Sequence, residues 1–97
     1  AALLVGELTE DGLRYRGRVG SGIGPKQSRA LAEQVAGLAR DDSPFADEVP
    51  AVDARGTHWL RPVLVVDIDT HGRGYERLRQ PSFQGVRSDL APEDLLA

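Results

Sequence analysis

The chain contains no cysteine and no methionine, and only one of its basic residues is a lysine. Without cysteine there is no disulfide framework and no thiolate metal site, an absence that fits a reducing, cytoplasmic setting. A methionine-free chain that begins Ala1-Ala2-Leu3-Leu4 reads as a piece of something longer. Hydrophobic runs are short. Pro62 to Val66 falls far below the roughly 20 residues that a membrane-spanning helix needs. The first residues lack the charged-then-apolar pattern of a secretory leader, so no membrane partner is expected. Aromatic rings are scarce, with one Trp, two Tyr and two Phe, which argues against a surface that stacks unpaired bases.

What is present suits one small β domain. Ninety-seven residues with 11 glycines and 6 prolines are read as short strands punctuated by turns, with a modest core. Leu3 to Leu8 is a first strand and Thr9-Glu10-Asp11-Gly12 a turn, Asp-Gly being a strong hairpin signal. Leu13 to Gly20 alternates cleanly, with Leu13, Tyr15 and Val19 on one face and Arg14, Arg16 and Arg18 on the other. Pro25 to Arg40 reads as a helix with Leu31, Val35 and Leu38 on its apolar stripe, and Pro25 suits its first turn. Residues 41–56 read as an exposed acidic loop. Trp59 to Thr70 reads as a long strand, with Leu64, Val66 and Ile68 opposite Val63, Val65, Asp67 and Asp69. His71 to Gly74 is a turn, Tyr75 to Gln80 a strand that Pro81 stops, and Ser82 to Asp89 a last strand. The economical architecture is mainly β with one helix: a five-stranded Greek-key barrel of OB type, with Ala91 to Ala97 as a tail.

The formal net charge of −3 hides segregation. Residues 12–40 carry +5 and residues 54–87 carry +3, whereas residues 41–53 hold five acids and no base. Two basic blocks separated by acid can form one basic face, and 11 of the 12 basic residues are arginine, suited to paired contacts with phosphate. Like charges aligned on one strand face repel, so a polyanion would relieve the cost at Arg14, Arg16 and Arg18, and at Arg77 and Arg79. The competing explanation is a solvated face neutralised by the acidic loop. About five phosphate contacts would make affinity fall several hundredfold, on the order of the counterion-release slope, between 50 and 200 mM salt.

Other motifs carry less. Gly20-x-Gly22-x-Gly24-Pro25-Lys26 has neither the spacing nor the Ser or Thr of a nucleoside-triphosphate loop, since Gln27 follows the lysine. Those glycines turn a strand into a helix, although an anion could still sit at the helix start. Asp67-x-Asp69 could face a cation, but no further acid has ligand spacing. His58 and His71 stand alone. No metal site and no complete active site are expected.

Four blocks in order resemble a known family. Leu13-Arg14-Tyr15-Arg16-Gly17-Arg18-Val19-Gly20-Ser21-Gly22 and Ser43-Pro44-Phe45 resemble segments of the OB domain in bacterial ATP-dependent DNA ligases of the end-joining type. Trp59-Leu60-Arg61-Pro62-Val63-Leu64-Val65-Val66-Asp67-Ile68 is similar to that domain's tryptophan-led strand, where an acid commonly stands at the place of Asp67. Arg77-Leu78-Arg79-Gln80-Pro81-Ser82-Phe83-Gln84-Gly85-Val86-Arg87-Ser88-Asp89 resembles the segment containing nucleotidyltransferase motif VI. The resemblance implies an OB-fold ligase domain over residues 1–90 and a tail over 91–97. It also implies ATP and Mg2+ as cofactors, bound mainly by a nucleotidyltransferase domain of the same polypeptide, and nicked duplex DNA as substrate. It further implies Ku as a candidate partner, and the bacterial cytoplasm and nucleoid as the setting.

Carried over residue by residue, Arg87 and Asp89 match the motif VI arginine and aspartate. Arg87 would bind the β/γ-phosphates of ATP during lysine adenylylation, and Asp89 would orient basic groups. Arg14, Arg16, Arg18, Lys26, Arg77 and Arg79 are the candidate DNA contacts. Leu90 departs from the family pattern, which has a lysine there. No catalytic residue is expected in this chain: its lysine, Lys26, precedes Gln27 and is not in a Lys-x-Asp-Gly motif, so the isolated chain should be inactive. The alternative from another class is a non-catalytic OB module that binds single-stranded DNA or RNA. A third, a protein-interaction domain, predicts no salt-dependent DNA binding.

Overall fold

Thr9 to Gly12 reverse the chain between two antiparallel strands, β1 (Leu3–Thr9) and β2 (Gly12–Val19), in a computed structural model that describes residues 2–71 and 77–96. The Thr9 hydroxyl donates to the Gly12 carbonyl at 2.8 Å and accepts from the Asp11 N–H at 3.2 Å. Gly12 takes φ +109°, a region that side chains disfavour. The strand pair then slips by one residue: Val5 faces Gly17 and Gly6 faces Tyr15. Arg16 is therefore the extra residue of a β-bulge, which bends and twists β2.

β2 is the centre of the fold. One edge pairs with β1, and the other is shared by two remote segments, 45–46 and 78–83. Leu13 accepts from the Ala46 N–H at 2.7 Å, Arg16 from Leu78 at 2.9 Å and Ser21, just beyond the strand, from Phe83 at 2.8 Å. The bridges Leu13–Phe45 and Ser21–Ser82 both run parallel. The second sheet is β3 (Val66–Asp69) antiparallel to β4 (Ser82–Val86). Among the described residues there are thus four strands in two two-stranded sheets, not five. The expected strand Tyr75 to Gln80 begins outside the described residues, and its visible part contributes the Leu78 bond to β2.

The helix α1 (Pro25–Val35) starts at Pro25 as expected but stops short of Arg40. Gly37 adopts φ +84°, the left-handed turn that ends many helices. Residues 38–40 then pair with 59–61: Arg40 donates to Trp59 at 2.9 Å and Arg61 to Leu38 at 2.7 Å. That pairing, followed by Pro62 with no N–H to give, shortens the expected Trp59–Thr70 strand to β3. The burial alternation survives at Val66 to Asp69, while Val65 is buried and Val63 exposed. The expected loop 41–56 holds a one-turn helix α2 (Ala51–Ala54), so there is more than one helix. At the end of the chain Pro92–Leu95 forms a 3-10 turn, its Asp94 carboxylate accepting from the Ala91 N–H at 2.9 Å, and packs against β1.

The core has two centres. Val19, Leu31 and Phe83 are packed by Leu3, Val5, Ile23, Val66, Ile68 and Val86. Beside them Tyr15, with 0% exposure, meets the edge of Phe45 at 5.1 Å, and Phe45 meets Trp59 at 6.4 Å. Gly22, at φ +84°, lies so close to β4 that a Cβ would overlap the Phe83 carbonyl oxygen and sit 2.9 Å from its nitrogen. Gly22→Ala should cost about 2–3 kcal/mol from strain and displaced backbone, read as a lower denaturant midpoint at unchanged m-value.

Candidate phosphate-binding site

Arg87 follows β4 directly, and its N–H donates to the Val65 carbonyl at 2.8 Å. This continues the ladder in which Val66 faces Val86 and Asp67 faces Gly85. The chain then turns through Ser88-Asp89, with Leu90 donating to the Arg87 carbonyl at 3.3 Å. The turn folds Asp89 back onto the guanidinium. Arg87 Nε donates to Asp89 Oδ1 at 3.0 Å and Nη2 to Asp89 Oδ2 at 2.8 Å, a two-pronged pair. Nη1 reaches Asp67 Oδ1 at 3.5 Å. The three side chains are 41%, 63% and 52% exposed for Arg87, Asp89 and Asp67 respectively.

Electrostatics follow from that geometry. The hydrogen bond to Asp89, then the charges of Asp89 and Asp67, push the Arg87 pKa upward. The hydrogen bond from Arg87 holds the Asp89 carboxyl below the usual range. The result is a permanently charged, exposed arginine whose fork is already oriented. Leu90 is half-buried and brings no charge. Arg87 does not border the apolar cleft of about 480 Å3 that Val5, Leu31, Phe45, Trp59 and Val65 line.

The arginines of β2 do not form one uniform row. Arg16, at the bulge, has 20% of its side chain exposed and donates to Glu7 at 3.0 Å. Arg14 lies 3.9 Å from Asp47, and Asp47 Oδ1 also accepts from the Tyr15 N–H at 2.8 Å. Arg77 lies over the Tyr15 ring, 4.7 Å from its centre, and donates to the Tyr15 carbonyl at 3.1 Å. Arg18, Lys26 and Arg79 are exposed, and among the described residues their side chains form no ion pair. The parallel run of 78–83 beside 16–21 puts Arg79 along the same edge as Arg18.

The acidic loop therefore docks on the basic strand. Asp53 completes it by accepting from the Tyr15 hydroxyl at 2.8 Å. The Tyr15 N–H, aided by Arg14 and Arg77, holds the Asp47 carboxyl below its ordinary 3.8. A depressed carboxylate stabilises the fold above its unfolded pKa, and that contribution is lost as pH falls from 3.8 through the folded value. Asp47→Asn keeps an oxygen for Tyr15 and should flatten the acid limb of a stability-against-pH curve. An unaltered limb would remove Asp47 from that role.

Among the described residues no group of three or more His, Cys, Asp or Glu is placed to hold a metal ion. The Arg87 charge between Asp67 and Asp89 also repels a cation. Among the described residues every Phe, Tyr and Trp ring is buried or half-buried, so a base-stacking surface built from such rings finds no support there. No helix among them is long and apolar enough to cross a membrane.

A family model described as the ATP dependent DNA ligase C terminal region matches residues 1–90. The chain belongs to this ligase family. The multifunctional non-homologous end joining protein LigD of Mycolicibacterium smegmatis is 40% identical over 96 residues, covering 98% of this chain and 13% of that protein. The LigD of Pseudomonas aeruginosa is 34% identical over 95 residues, covering 91% of this chain and 11% of that protein. The ligase domain of Mycobacterium tuberculosis LigD superposes with a TM-score of 0.92 at 37% identity, covering 99% of this chain and 32% of that one. A mycobacterial DNA ligase D complexed with ATP and MES gives 0.90 at 37%, covering 97% and 32%. The chain is thus a small part of the relatives it matches, 13% of the first and 32% of the ligase-domain structures.

Within this ligase C-terminal chain, reasoning from sequence missed two things. One is Asp67 beside Arg87, 20 residues away in sequence. The other is the seating of Asp47 and Asp53 on Tyr15. The excess of acid in 41–53 against the basic block before it was the available signal for the second.

Proposed function

We propose that this chain is the OB-type C-terminal domain, residues 1–90 with 91–97 as a tail, of a LigD-type ATP-dependent DNA ligase. It presents Arg87 to ATP during lysine adenylylation and a separate arginine surface to nicked duplex DNA. The observation that carries the reading is the Arg87 fork, braced by Asp89 and Asp67 and open to solvent. Of the five guanidinium N–H groups, one on each terminal nitrogen is left to meet a phosphate oxygen. Arg87 would neutralise charge on the departing pyrophosphate, and Asp89 would fix the plane of its fork. With Leu90 in place of a lysine, that charge falls to Arg87.

The lysine nucleophile and the main ATP contacts belong to a nucleotidyltransferase domain of the same polypeptide, so the isolated chain is inactive. The donor set around Arg87, a guanidinium between two carboxylates, does not suit Mg2+. Ku binding and a place on the bacterial nucleoid are part of the same proposal and have only the family likeness behind them. Comparing lysyl-adenylate formation with sealing of a pre-adenylylated nick in the Arg87→Ala ligase tests the reading. The first should be impaired far more, and equal loss in both refutes it.

For DNA, Arg18, Lys26, Arg79 and the loosely paired Arg14 are the contacts best placed. Arg16 acts mainly in tying β2 to Glu7 of β1, and Arg77 in covering Tyr15 of β2. Arg18→Ala should weaken nicked-duplex binding by the full-length ligase and reduce the slope of log affinity against log salt by about 1. An unchanged slope takes Arg18 off the DNA.

A further inference from the structure

We propose that Asp67 is a positioning residue for Arg87, tying the phosphate-binding turn to the sheet; this rests on the reading of Arg87 as a phosphate ligand. Asp89 cannot do this alone. It is two residues from Arg87 on the same turn, so their pair fixes the guanidinium relative to that turn but not to the neighbouring strand. Asp67 comes from the neighbouring strand.

Register explains why Asp67 reaches Arg87. Arg87 lies opposite Val65 through its N–H bond, and Asp67 is two residues further along β3. The two are thus diagonal neighbours on one face, within reach of a long side chain. The residue directly across from Asp67 is Gly85, which offers no side chain, so Asp67 is free to lean toward Arg87. Its contact is on Nη1 at 3.5 Å, the nitrogen that the Asp89 pair leaves unused. Three points of support, two from the turn and one from the sheet, set the direction of the fork as well as its plane.

The contact is exposed on both sides, and such pairs add little to stability. Asp67→Asn therefore leaves the fold intact and isolates orientation. In the full-length ligase, kcat for lysyl-adenylate formation should fall about threefold to fivefold, the scale of an exposed ion pair. KM for ATP should not rise, because the phosphate-binding charge is retained, and sealing of a pre-adenylylated nick should be unchanged. Asp67→Glu should restore most of the rate. Combined with Arg87→Ala, Asp67→Asn should add no further loss. An unaltered kcat in Asp67→Asn, beside an impaired Arg87→Ala, would overturn the role of Asp67 and leave that of Arg87 standing. Additive losses in the double variant, or a higher KM alone, would also overturn it. Equal loss of both steps in Arg87→Ala would instead remove the underlying reading.

Discussion

Tyr15→Ala is expected to cost about 3–5 kcal/mol, the range for deleting a large buried aromatic, out of the roughly 5–15 kcal/mol that holds a domain folded. Three separate attachments end on this side chain. Its ring is fully buried and packs edge-on with Phe45; the Arg77 guanidinium lies 4.7 Å from the ring centre; its hydroxyl donates to Asp53. Truncation opens a cavity between β2 and the acidic loop, leaves Arg77 over empty space and deprives Asp53 of its donor. The check is a denaturant titration of the full-length ligase or of any fragment that folds. A loss below about 1 kcal/mol would mean that the loop is not held through Tyr15.

Tyr15→Phe separates packing from the hydroxyl and should cost about 1–2 kcal/mol, because Asp53 loses a partner. Burial, then the bond and charge of Asp53, push the Tyr15 pKa up from its ordinary 10.0. A raised folded pKa means that the contribution is fully present below pH 10.0 and is lost as pH climbs through the folded value. The alkaline limb of the stability curve should therefore be flatter in Tyr15→Phe than in the parent, with Tyr75 common to both.

Arg87→Ala carries the largest expected effect on chemistry, a fall on the order of a hundredfold in lysyl-adenylate formation, as for loss of one preorganised group that stabilises developing negative charge. Two effects act in the same direction. The positive fork disappears, and the Asp67 and Asp89 carboxylates that it neutralised remain beside the phosphates. Leu90 offers no replacement charge. Arg87→Lys keeps the charge but loses the fork that meets Asp89 at two points, so it should recover less than about tenfold of the deficit. Full recovery by lysine would show that charge alone matters and that the bracing by Asp89 is incidental.

Where neighbours in sequence decide the structure, the sequence was legible. The Asp11-Gly12 turn and the alternation of β2 depend on a few contiguous residues, so hairpin, core face and the buried Tyr15 could be read directly. The block from Arg77 to Asp89 carries the family likeness in one stretch, and the Arg87–Asp89 pair spans two residues. The start of α1 at Pro25 is equally local. Its end was not: Leu38 to Arg40 are good enough helix residues, but Gly37 takes φ +84° and the next residues pair with 59–61. That same pairing removed Trp59 to Leu64 from the expected strand.

Only tertiary structure could assign the charges. Arg14, Arg16 and Arg18 alternate in sequence as equals, yet the bulge at Arg16 and the seating of Asp47 leave them with three different environments. The deciding contacts are remote: Arg77 to Tyr15 spans 62 residues, Tyr15 to Asp53 spans 38, and Arg87 to Asp67 spans 20. Composition along a strand sets which face is charged. Which charges meet a carboxylate, an aromatic ring or water depends on what the fold brings to the other edge of that strand, and no local pattern encodes it.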